Sequence, residues 1–233
     1  MLLPKKFEDR FGTHPEHKGK PKTSYSMCNS YDEEEYRDDV YIQYFLGIRL
    51  PSGEFAEFGT SVGEYIEFKA KGGKVTGVLS EKDISILDEV VDYPHNAEYE
   101  DEIVIDFGEF VMEGYADRIV YDNDNVVHVL DYKTLNIDKK SEYYASDEYL
   151  QTVLYAYQKE KQGFKIGDVE VFGLGRKGSS LDGTGNFKMR LSGEYKVIPT
   201  PYNKKRVKLA LDKIRTTTEK ISKDYGIYRK YFC

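Results

Sequence analysis

The sequence is poor in several residue types that build specialised sites. Cys28 and Cys233 are its only cysteines, and it contains no tryptophan. Two cysteines cannot supply the four thiolates of an iron–sulfur cluster or of a four-cysteine zinc site, and they cannot build a disulfide framework. We therefore expect no iron–sulfur cluster, and we expect a protein of the reducing cytoplasm.

Long hydrophobic runs are also missing. No segment approaches the roughly 20 consecutive apolar residues that a membrane-spanning helix needs, and no apolar signal segment opens the chain. Hydrophobic residues make up 39% of the 233 residues and charged residues 32%, which is typical of a water-soluble globular protein. The length suits one substantial α/β domain, with two small domains as the weaker alternative. The sequence therefore predicts no membrane association.

Positive charge is in deficit, because 34 lysines and arginines face 41 aspartates and glutamates, a formal net charge of −7. This balance argues against a general nucleic-acid-coating protein, since such binding rests on neutralising phosphates. It is compatible with an enzyme that has a local basic groove beside an acidic metal site. The sequence also lacks the phosphate-binding pattern G-x-x-x-x-G-K-S/T, so nothing in it supports an NTP-driven motor.

Hydrophobic periodicity and turn signals predict helices, then strands, then a further helix, strands and a final helix. Residues 1–23 lack periodicity and are predicted to form a flexible arm ahead of a single domain over residues 24–233. Predicted helices cover about 26–48, 60–71, 80 onward, 146–162 and 203 onward, with Ser80 and Asp83 as a capping signal for the third and Ser146 as a cap for the fourth. Predicted strands cover about 102–107, 110–121, 126–134, 168–174, 186–191 and 194–198. This order predicts a mixed sheet flanked by helices in an α/β domain.

The predicted hairpin of residues 110–134 carries three functional side chains, Asp117, Asp131 and Lys133. Side chains alternate along a strand, so Asp131 and Lys133 point to the same face. Two carboxylates from neighbouring strands suit a hard divalent cation, and the lysine can balance charge that develops on a phosphate. The alternative is a surface salt bridge on an edge strand, which fits poorly with the apolar run Val126–Leu130 directly before Asp131.

Two predicted helices carry polar side chains that suit a neighbouring site. Glu67 lies on the helix predicted for residues 60–71, where most glutamates are simply solvated. Gln151 and Tyr155 are four residues apart and form a polar stripe beside the apolar face of a later helix. Taken alone, each of these side chains is better explained as part of an ordinary helix flank.

The segment Gly173–Gly178 matches the pattern G-x-G-x-x-G and follows a predicted strand. A dinucleotide site requires a helix to begin there, whereas Ser179–Gly185 predicts a loop. We interpret the segment as a wide turn to which Arg176 and Lys177 give positive charge. A nucleotide-binding enzyme that uses this loop is the alternative.

A basic stretch opens the predicted C-terminal helix with Lys204 and Lys205. A solvated helix face is the usual explanation of such a stretch. In an acidic protein, however, local clustering of positive charge also suits one wall of a DNA groove.

Five motifs, taken in order, resemble the RecB-like branch of the PD-(D/E)XK nuclease superfamily, which includes nuclease domains of bacterial recombination enzymes and many phage and CRISPR-associated exonucleases. Ser24-Tyr25-Ser26 resembles the S-x-S opening of that branch, and Gly59–Glu67 resembles its helix G-S/T-x-x-H-x-x-x-E. The other three are Gly114-x-x-Asp117 (similar to G-x-x-D), Asp131-Tyr132-Lys133-Thr134 (D-x-K-T) and Gln151-x-x-x-Tyr155 (Q-x-x-x-Y). Together they cover about residues 24–155.

The resemblance implies a restriction-endonuclease-like fold with an αβββαβ core and a Mg²⁺ or Mn²⁺ cofactor. It implies that Asp117, Asp131 and the backbone carbonyl of Tyr132 are metal ligands, with Glu67 as a nearby acid. Lys133 would be the catalytic lysine. Gln151 and Tyr155 would support the site and the bound strand. The expected DNA-binding set is completed by Ser24, Tyr25, Ser26, Arg176, Lys177, Lys204 and Lys205.

The sequence departs from the family pattern at Gly63, where many RecB-like members carry a metal-binding histidine, so the number of metals stays open. The main hypothesis is a metal-dependent DNA nuclease, expected to be an exonuclease of recombination, repair or phage DNA processing in a bacterial or phage-infected cell. The alternative is an inactive member of the same fold that serves as a DNA-binding or assembly subunit. A homo-oligomer, or a helicase or recombinase partner, is compatible with this resemblance.

Overall fold

The computed structural model describes residues 13–17, 20–46, 48, 50, 53–72, 79–178 and 189–232. The helices are α1 Tyr25–Asp32, α2 Arg37–Val40, α3 Glu54–Lys71, α4 Glu81–Val90, α5 Ile137–Ala145, α6 Gln151–Lys161 and α7 Lys204–Phe232. The strands are β1 Thr13–His14, β2 Lys20–Thr23, β3 Ala97–Asp106, β4 Val111–Tyr121, β5 Val126–Leu135, β6 Lys165–Lys177 and β7 Arg190–Pro199. No helix within these described ranges is both long and apolar enough to cross a bilayer.

The chain divides into two compact units, each assembled from separate segments. The first unit comprises residues 1–51, 102–114 and 207–233, and the second comprises residues 52–101 and 115–206. β3, β4 and α7 contribute residues to both units. The single domain expected over residues 24–233 stays a prediction.

The second unit is built on the strands β4, β5, β6 and β7, which lie side by side in that order. β5 runs antiparallel to β4 and parallel to β6, while β7 runs antiparallel to β6. β5 is therefore an interior strand of a mixed sheet. The parallel pairing of β5 with β6 requires a crossover connection, which α5 and α6 provide. This mixed α/β architecture confirms the predicted fold class.

Apolar side chains cover both faces of this sheet. On one face, Leu130 of β5, together with Phe172 and Leu174 of β6, packs with residues of α3 and α4. On the other face, Leu135 of β5 and Val171 of β6 pack with Tyr149, which lies just before α6, and with partly buried residues of α5. Alternation along each strand produces this division, because neighbouring residues point to opposite faces.

The first unit contains β1, β2 and the beginning of β4. β2 runs antiparallel to β1 and parallel to β4, with Lys22 opposite Val111. Its apolar cluster consists of Met27, Tyr31, Val40 and Ile221. Lys20–Thr23 belong to the predicted arm but form β2, so regular structure begins before residue 24. Residues 1–12 and 18–19 of that arm lie outside the described residues.

Several predicted helix boundaries were wrong. The helix expected over about 26–48 is divided into short helical segments: α1 ends at Asp32, and a 3₁₀ helix (Glu34–Tyr36), α2 and a π-helix (Tyr41–Phe45) follow it. α3 begins at Glu54 rather than near residue 60, with Gly53 as its N-cap. α5 was not predicted, and Ser146 ends this helix rather than capping α6.

The glycine-rich segment Gly173–Lys177 is strand rather than turn, since β6 continues through Lys177. Its glycines are required by close packing. A Cβ on Gly173 would lie 2.8 Å from the Leu135 side chain, and one on Gly175 would collide with the Ser192 side chain. The helix that a dinucleotide site would need, from about residue 179, lies outside the described residues.

α4 begins with the capping box that the sequence predicts. The Ser80 hydroxyl accepts a hydrogen bond from the Asp83 backbone N–H at 3.1 Å, and the Asp83 carboxylate accepts one from the Ser80 N–H at 3.3 Å. The other carboxylate oxygen of Asp83 accepts a hydrogen bond from the Leu191 backbone N–H at 2.7 Å. One buried side chain thus caps α4 and attaches it to β7.

We predict that Asp83→Ala lowers the free energy of unfolding by about 2 kcal/mol, because it removes a cap and leaves a buried N–H without an acceptor. Urea denaturation followed by circular dichroism measures this change. Glu81→Ala is the matched control, since Glu81 is an exposed acid in the same first helical turn. Equal losses of unfolding free energy for both variants would contradict a stabilising role for the Asp83–Leu191 hydrogen bond between α4 and β7.

Candidate active site

The centre of the candidate site is Asp131, whose side chain is fully buried on β5. Its Oδ2 lies 2.6 Å from the Lys133 ammonium nitrogen and accepts a hydrogen bond from the Tyr149 hydroxyl at 2.8 Å. Desolvation lowers the pKa of Lys133, but attraction to Asp131 and Asp117 outweighs it and raises the pKa above its ordinary value. Because β5 is an interior strand, the alternative of a surface salt bridge on an edge strand is wrong.

The second oxygen of the same carboxylate, Asp131 Oδ1, is buried and has no hydrogen-bond partner among the described residues. A buried carboxylate oxygen left without a donor costs free energy, and a charged one costs more than a neutral one. The arrangement therefore suits a positively charged or hydrogen-bonding ligand at Oδ1.

Asp117 on β4 supplies the second carboxylate. Its Oδ2 accepts a hydrogen bond from the backbone N–H of Tyr132 at 2.6 Å, which fixes it against the strand that carries Asp131. Burial raises the pKa of Asp117 to about 8, with the negative charge of Asp131 as the next contribution. Two neighbouring carboxylates that repel each other are stabilised by a cation between them.

Asp117 and Lys133 border a cavity of about 550 Å³, whereas Asp131 does not line it. The wall is formed by α3, β3, β4 and the ends of β5 and β6, and it also includes Glu67. The Glu67 carboxylate also accepts a hydrogen bond from the ammonium group of Lys71, one helical turn later, at 3.2 Å. The structure thus brings the predicted helix acid to the same cavity as Asp117 and Lys133 of the predicted hairpin.

Glu100 is a cavity residue that the sequence analysis missed. Burial raises the pKa of Glu100, and the negative charge of Glu67 adds to the effect. The backbone of Glu100 has φ of 48°, a conformation that is uncommon outside glycine. Nothing in the local sequence distinguishes Glu100 from the other acids of the segment 98–102.

Gln151 and Tyr155 do not line the cavity but are linked to the site by hydrogen bonds. The Tyr149 hydroxyl lies 3.3 Å from the Gln151 carbonyl oxygen, and the Gln151 amide donates to the Tyr155 hydroxyl at 2.6 Å. Tyr149 was not predicted, although it connects this pair to Asp131. Its position two residues before Gln151 gave no signal in the sequence.

Of the residues predicted to bind DNA outside these motifs, Arg176 alone lines the cavity among those described. Lys177 and Lys204 are exposed, and Lys205 lies 2.9 Å from Asp147. In the first unit, Ser24 caps α1, Tyr25 is buried and Ser26 is exposed. DNA binding by these residues stays a prediction.

A family model for the PD-(D/E)XK nuclease superfamily matches residues 67–228, a range that begins at Glu67 and contains every predicted catalytic residue. The chain belongs to the PD-(D/E)XK nuclease superfamily. The restriction-endonuclease-like fold class is thereby confirmed, and a nuclease is the activity that this superfamily suggests.

Other comparisons add little to the superfamily assignment. No curated protein matches the chain significantly. The crystal structure of SSO0001 is similar at 16% identity over 82% of this chain and 85% of that one, with a TM-score of 0.31. A superposition this loose carries no argument about the site.

PD-(D/E)XK nucleases usually use divalent metal ions, and the donor set of this site fits such an ion in part. Asp117 and Asp131 offer carboxylate oxygens, which hard divalent cations prefer, and Asp131 Oδ1 is buried and unpartnered. Within the described ranges, no group of three or more His, Cys, Asp or Glu side chains is arranged to hold a metal. Gly63 lines the cavity, and a Cβ there would meet no atom within 4 Å.

We predict that Asp117→Asn stabilises the metal-free protein by about 1–4 kcal/mol near pH 8, because it removes a buried negative charge and keeps an acceptor for Tyr132. An acid whose pKa is raised on folding costs stability as pH rises from its unfolded pKa, about 4, toward its folded pKa, so the gain should grow between about pH 4 and 8. Denaturation in EDTA at several pH values measures this gain.

Asp124→Asn, an exposed aspartate in the turn of the same hairpin, is the control for that series. Added Mn²⁺ should raise the melting temperature of the wild type and of Asp124→Asn, and should do so much less for Asp117→Asn. A metal-free Asp117→Asn protein that is no more stable than the wild type would contradict the repulsion inferred here.

Proposed function

We propose that the chain is a divalent-metal-dependent DNA nuclease, and specifically an exonuclease. The observation that carries this proposal is the buried Asp131, which has one oxygen paired with Lys133 and the other without a partner. A buried carboxylate arranged in this way, beside a second carboxylate in a cavity, is suited to ligand binding rather than to stability alone. Membership of the nuclease superfamily supports the same conclusion.

The proposed roles combine the motif resemblance with the contacts of the individual side chains. Asp117, Asp131 and the Tyr132 carbonyl would hold Mg²⁺ or Mn²⁺, with Glu67 as a nearby acid. When bound, the ion supplies polarisation of the scissile phosphate and activation of the attacking water. Water attacks the phosphodiester in line with the leaving oxygen.

The surrounding side chains orient the charged groups. Lys133, kept protonated by Asp131, donates to the phosphate oxygens as charge builds on them or holds the attacking water. Tyr149 is a positioning residue, since its hydroxyl fixes the Asp131 carboxylate. Gln151 and Tyr155 form a chain of hydrogen bonds with Tyr149 and so position the Asp131 carboxylate indirectly.

The finer assignments rest on the motif resemblance alone. We propose the RecB-like branch, action in recombination, repair or phage DNA processing, and a cytoplasmic location. A homo-oligomer or an association with a helicase or recombinase belongs to the same proposal.

End-labelled linear DNA with Mg²⁺ or Mn²⁺ tests the activity. We expect cleavage by the wild type and a loss of at least about 100-fold in rate for Asp131→Ala and Lys133→Ala, because each removes a charge at the reacting centre. Asp124→Ala should retain full activity, and EDTA should abolish cleavage. The proposal fails if the wild type cuts nothing or if the two site variants cut equally well.

A parallel time course on linear and circular DNA tests the exonuclease assignment. An exonuclease requires a strand end, so linear DNA should shorten progressively while covalently closed circles remain intact. Labels placed separately on the two ends of each strand also identify the polarity. Cleavage of closed circles would show an endonuclease instead.

Gly63 favours a second candidate function, an inactive member of the superfamily that serves as a DNA-binding or assembly subunit. Because open space surrounds a Cβ at Gly63, we predict that Gly63→His folds and binds Mn²⁺ at least about tenfold more tightly than the wild type. Gly63→Ala is the matched control, since it adds a Cβ without a ligand. Calorimetry with Mn²⁺ measures both variants.

The same titration separates the two functions. Mn²⁺ binding by the wild type that is lost in Asp131→Ala supports the nuclease. Absence of Mn²⁺ binding by the wild type, together with absence of cleavage, supports the inactive subunit.

A further inference from the structure

Phe55, in the first turn of α3, is an aromatic residue of the cavity wall that the proposed mechanism does not use. Its side chain is 48% exposed, and it lines the cavity together with Asp117 and Lys133. Single exposed apolar residues are common on protein surfaces and need no explanation by themselves. An exposed ring in the wall of a phosphate-cutting site, however, provides a flat apolar surface where a nucleotide has to bind.

Arg176, near the end of β6, lies over that ring. Its guanidinium carbon is 4.0 Å from the centroid of the Phe55 ring, close enough for a cation–π interaction. A stacked guanidinium keeps its N–H groups in its own plane, where they remain available as donors. The side chain makes no hydrogen bond or ion pair with any described residue, although Glu64 and Glu67 line the same cavity.

Two other arginines of the second unit, Arg118 and Arg206, donate hydrogen bonds to acceptors of the protein itself. Arg118 donates to the Asp92 carboxylate at 2.7 Å and to the Asp92 carbonyl at 3.0 Å. Arg206 donates to the backbone carbonyls of Pro201 and Tyr149. Arg176 differs from them because its donors face a cavity and have no acceptor among the described residues. A side chain that only held α3 against β6 would not require the five N–H donors of a guanidinium group in that position.

We propose that Arg176 and Phe55 bind one nucleotide of the substrate strand, Arg176 through a phosphate and Phe55 through the adjacent base. Guanidinium groups bind phosphate oxygens in a bidentate manner, and aromatic rings stack on bases without sequence preference. This pair, defined here as the Phe55–Arg176 platform, lies in the same cavity as Asp117 and Lys133. It thus deepens the proposed nuclease function by naming a substrate class.

The substrate class is single-stranded DNA or an unpaired strand end. Inside a duplex, both faces of a base are covered by its neighbours, so stacking on Phe55 requires a base that has left the stack. A cavity of about 550 Å³ is in the size range that holds one small ligand, and it suits one nucleotide rather than a base pair with two backbones.

Binding, measured separately from cleavage, tests this platform. Fluorescence anisotropy with a labelled single-stranded oligonucleotide and with a blunt duplex is recorded in Ca²⁺, and a denaturing gel verifies that the strands stay intact. Phe55→Ala should weaken single-strand binding by about tenfold, Phe55→Leu should behave similarly, and Phe55→Trp should bind at least as tightly as the wild type. Duplex binding should change little in all three.

Phe68→Ala is the matched control, because Phe68 lies on the same helix, is 38% exposed and does not line the cavity. Arg176→Gln should reduce the dependence of single-strand binding on salt by about one phosphate contact, a slope change of roughly 0.7. A 2-aminopurine base near the strand end should be quenched by the wild type and not by Phe55→Ala. Melting temperatures verify that each variant is folded.

The outcomes separate this platform from the nuclease proposal. Wild-type affinity in a folded Phe55→Ala protein, equal losses in Phe55→Ala and Phe68→Ala, or equal losses of single-strand and duplex binding would overturn the platform. None of these results would contradict the nuclease proposal, which rests on cleavage that depends on Asp131. Conversely, Phe55-dependent binding of single strands by a protein that cuts no DNA would support the platform and contradict the nuclease proposal.

Discussion

A buried negative charge in the middle of a sheet is the constraint on which the site depends. Asp131 lies on an interior strand, and an isolated carboxylate there would cost several kcal/mol. The protein compensates one oxygen with Lys133 and Tyr149 and leaves the other unpartnered. Since an uncompensated buried charge is strongly destabilising, the fold must hold both partners in position. The same partners therefore stabilise the carboxylate and fix its orientation.

Residues whose role depends on local sequence were predictable, and residues whose role depends on packing were not. The alternation along β5 placed Asp131 and Lys133 together, and the spacing of Ser80 and Asp83 predicted the cap of α4. Tyr149 has no local signal, because its role comes from a contact across the crossover. α5 was also missed, and Ser141 is its only buried residue, so no fully buried apolar side chain marks this helix. The roles of Glu100 and Phe55 likewise depend on where the fold places them.

The charges around the cavity suggest an order of binding. Its wall carries four acids (Glu64, Glu67, Glu100 and Asp117) and two bases (Lys133 and Arg176), so its formal charge is −2 once Glu100 and Asp117, whose pKa values burial raises, have ionised. A polyanionic strand is repelled by such a wall, whereas a divalent cation neutralises it. In the proposed mechanism the cation therefore binds before the strand, and the affinity for the strand depends on the concentration of the cation. The overall charge of −7 is compatible with DNA as a substrate for this reason.

The position of Tyr149 has a consequence for how the protein is made. The hydroxyl that fixes Asp131 lies on the connection between β5 and β6, and β6 pairs with β5 only after that connection has closed. Non-local parallel pairing is a slow step in folding. A chain emerging from the ribosome thus contains Asp117, Asp131 and Lys133 well before they are fixed in place. The candidate site is therefore complete only when the sheet is complete.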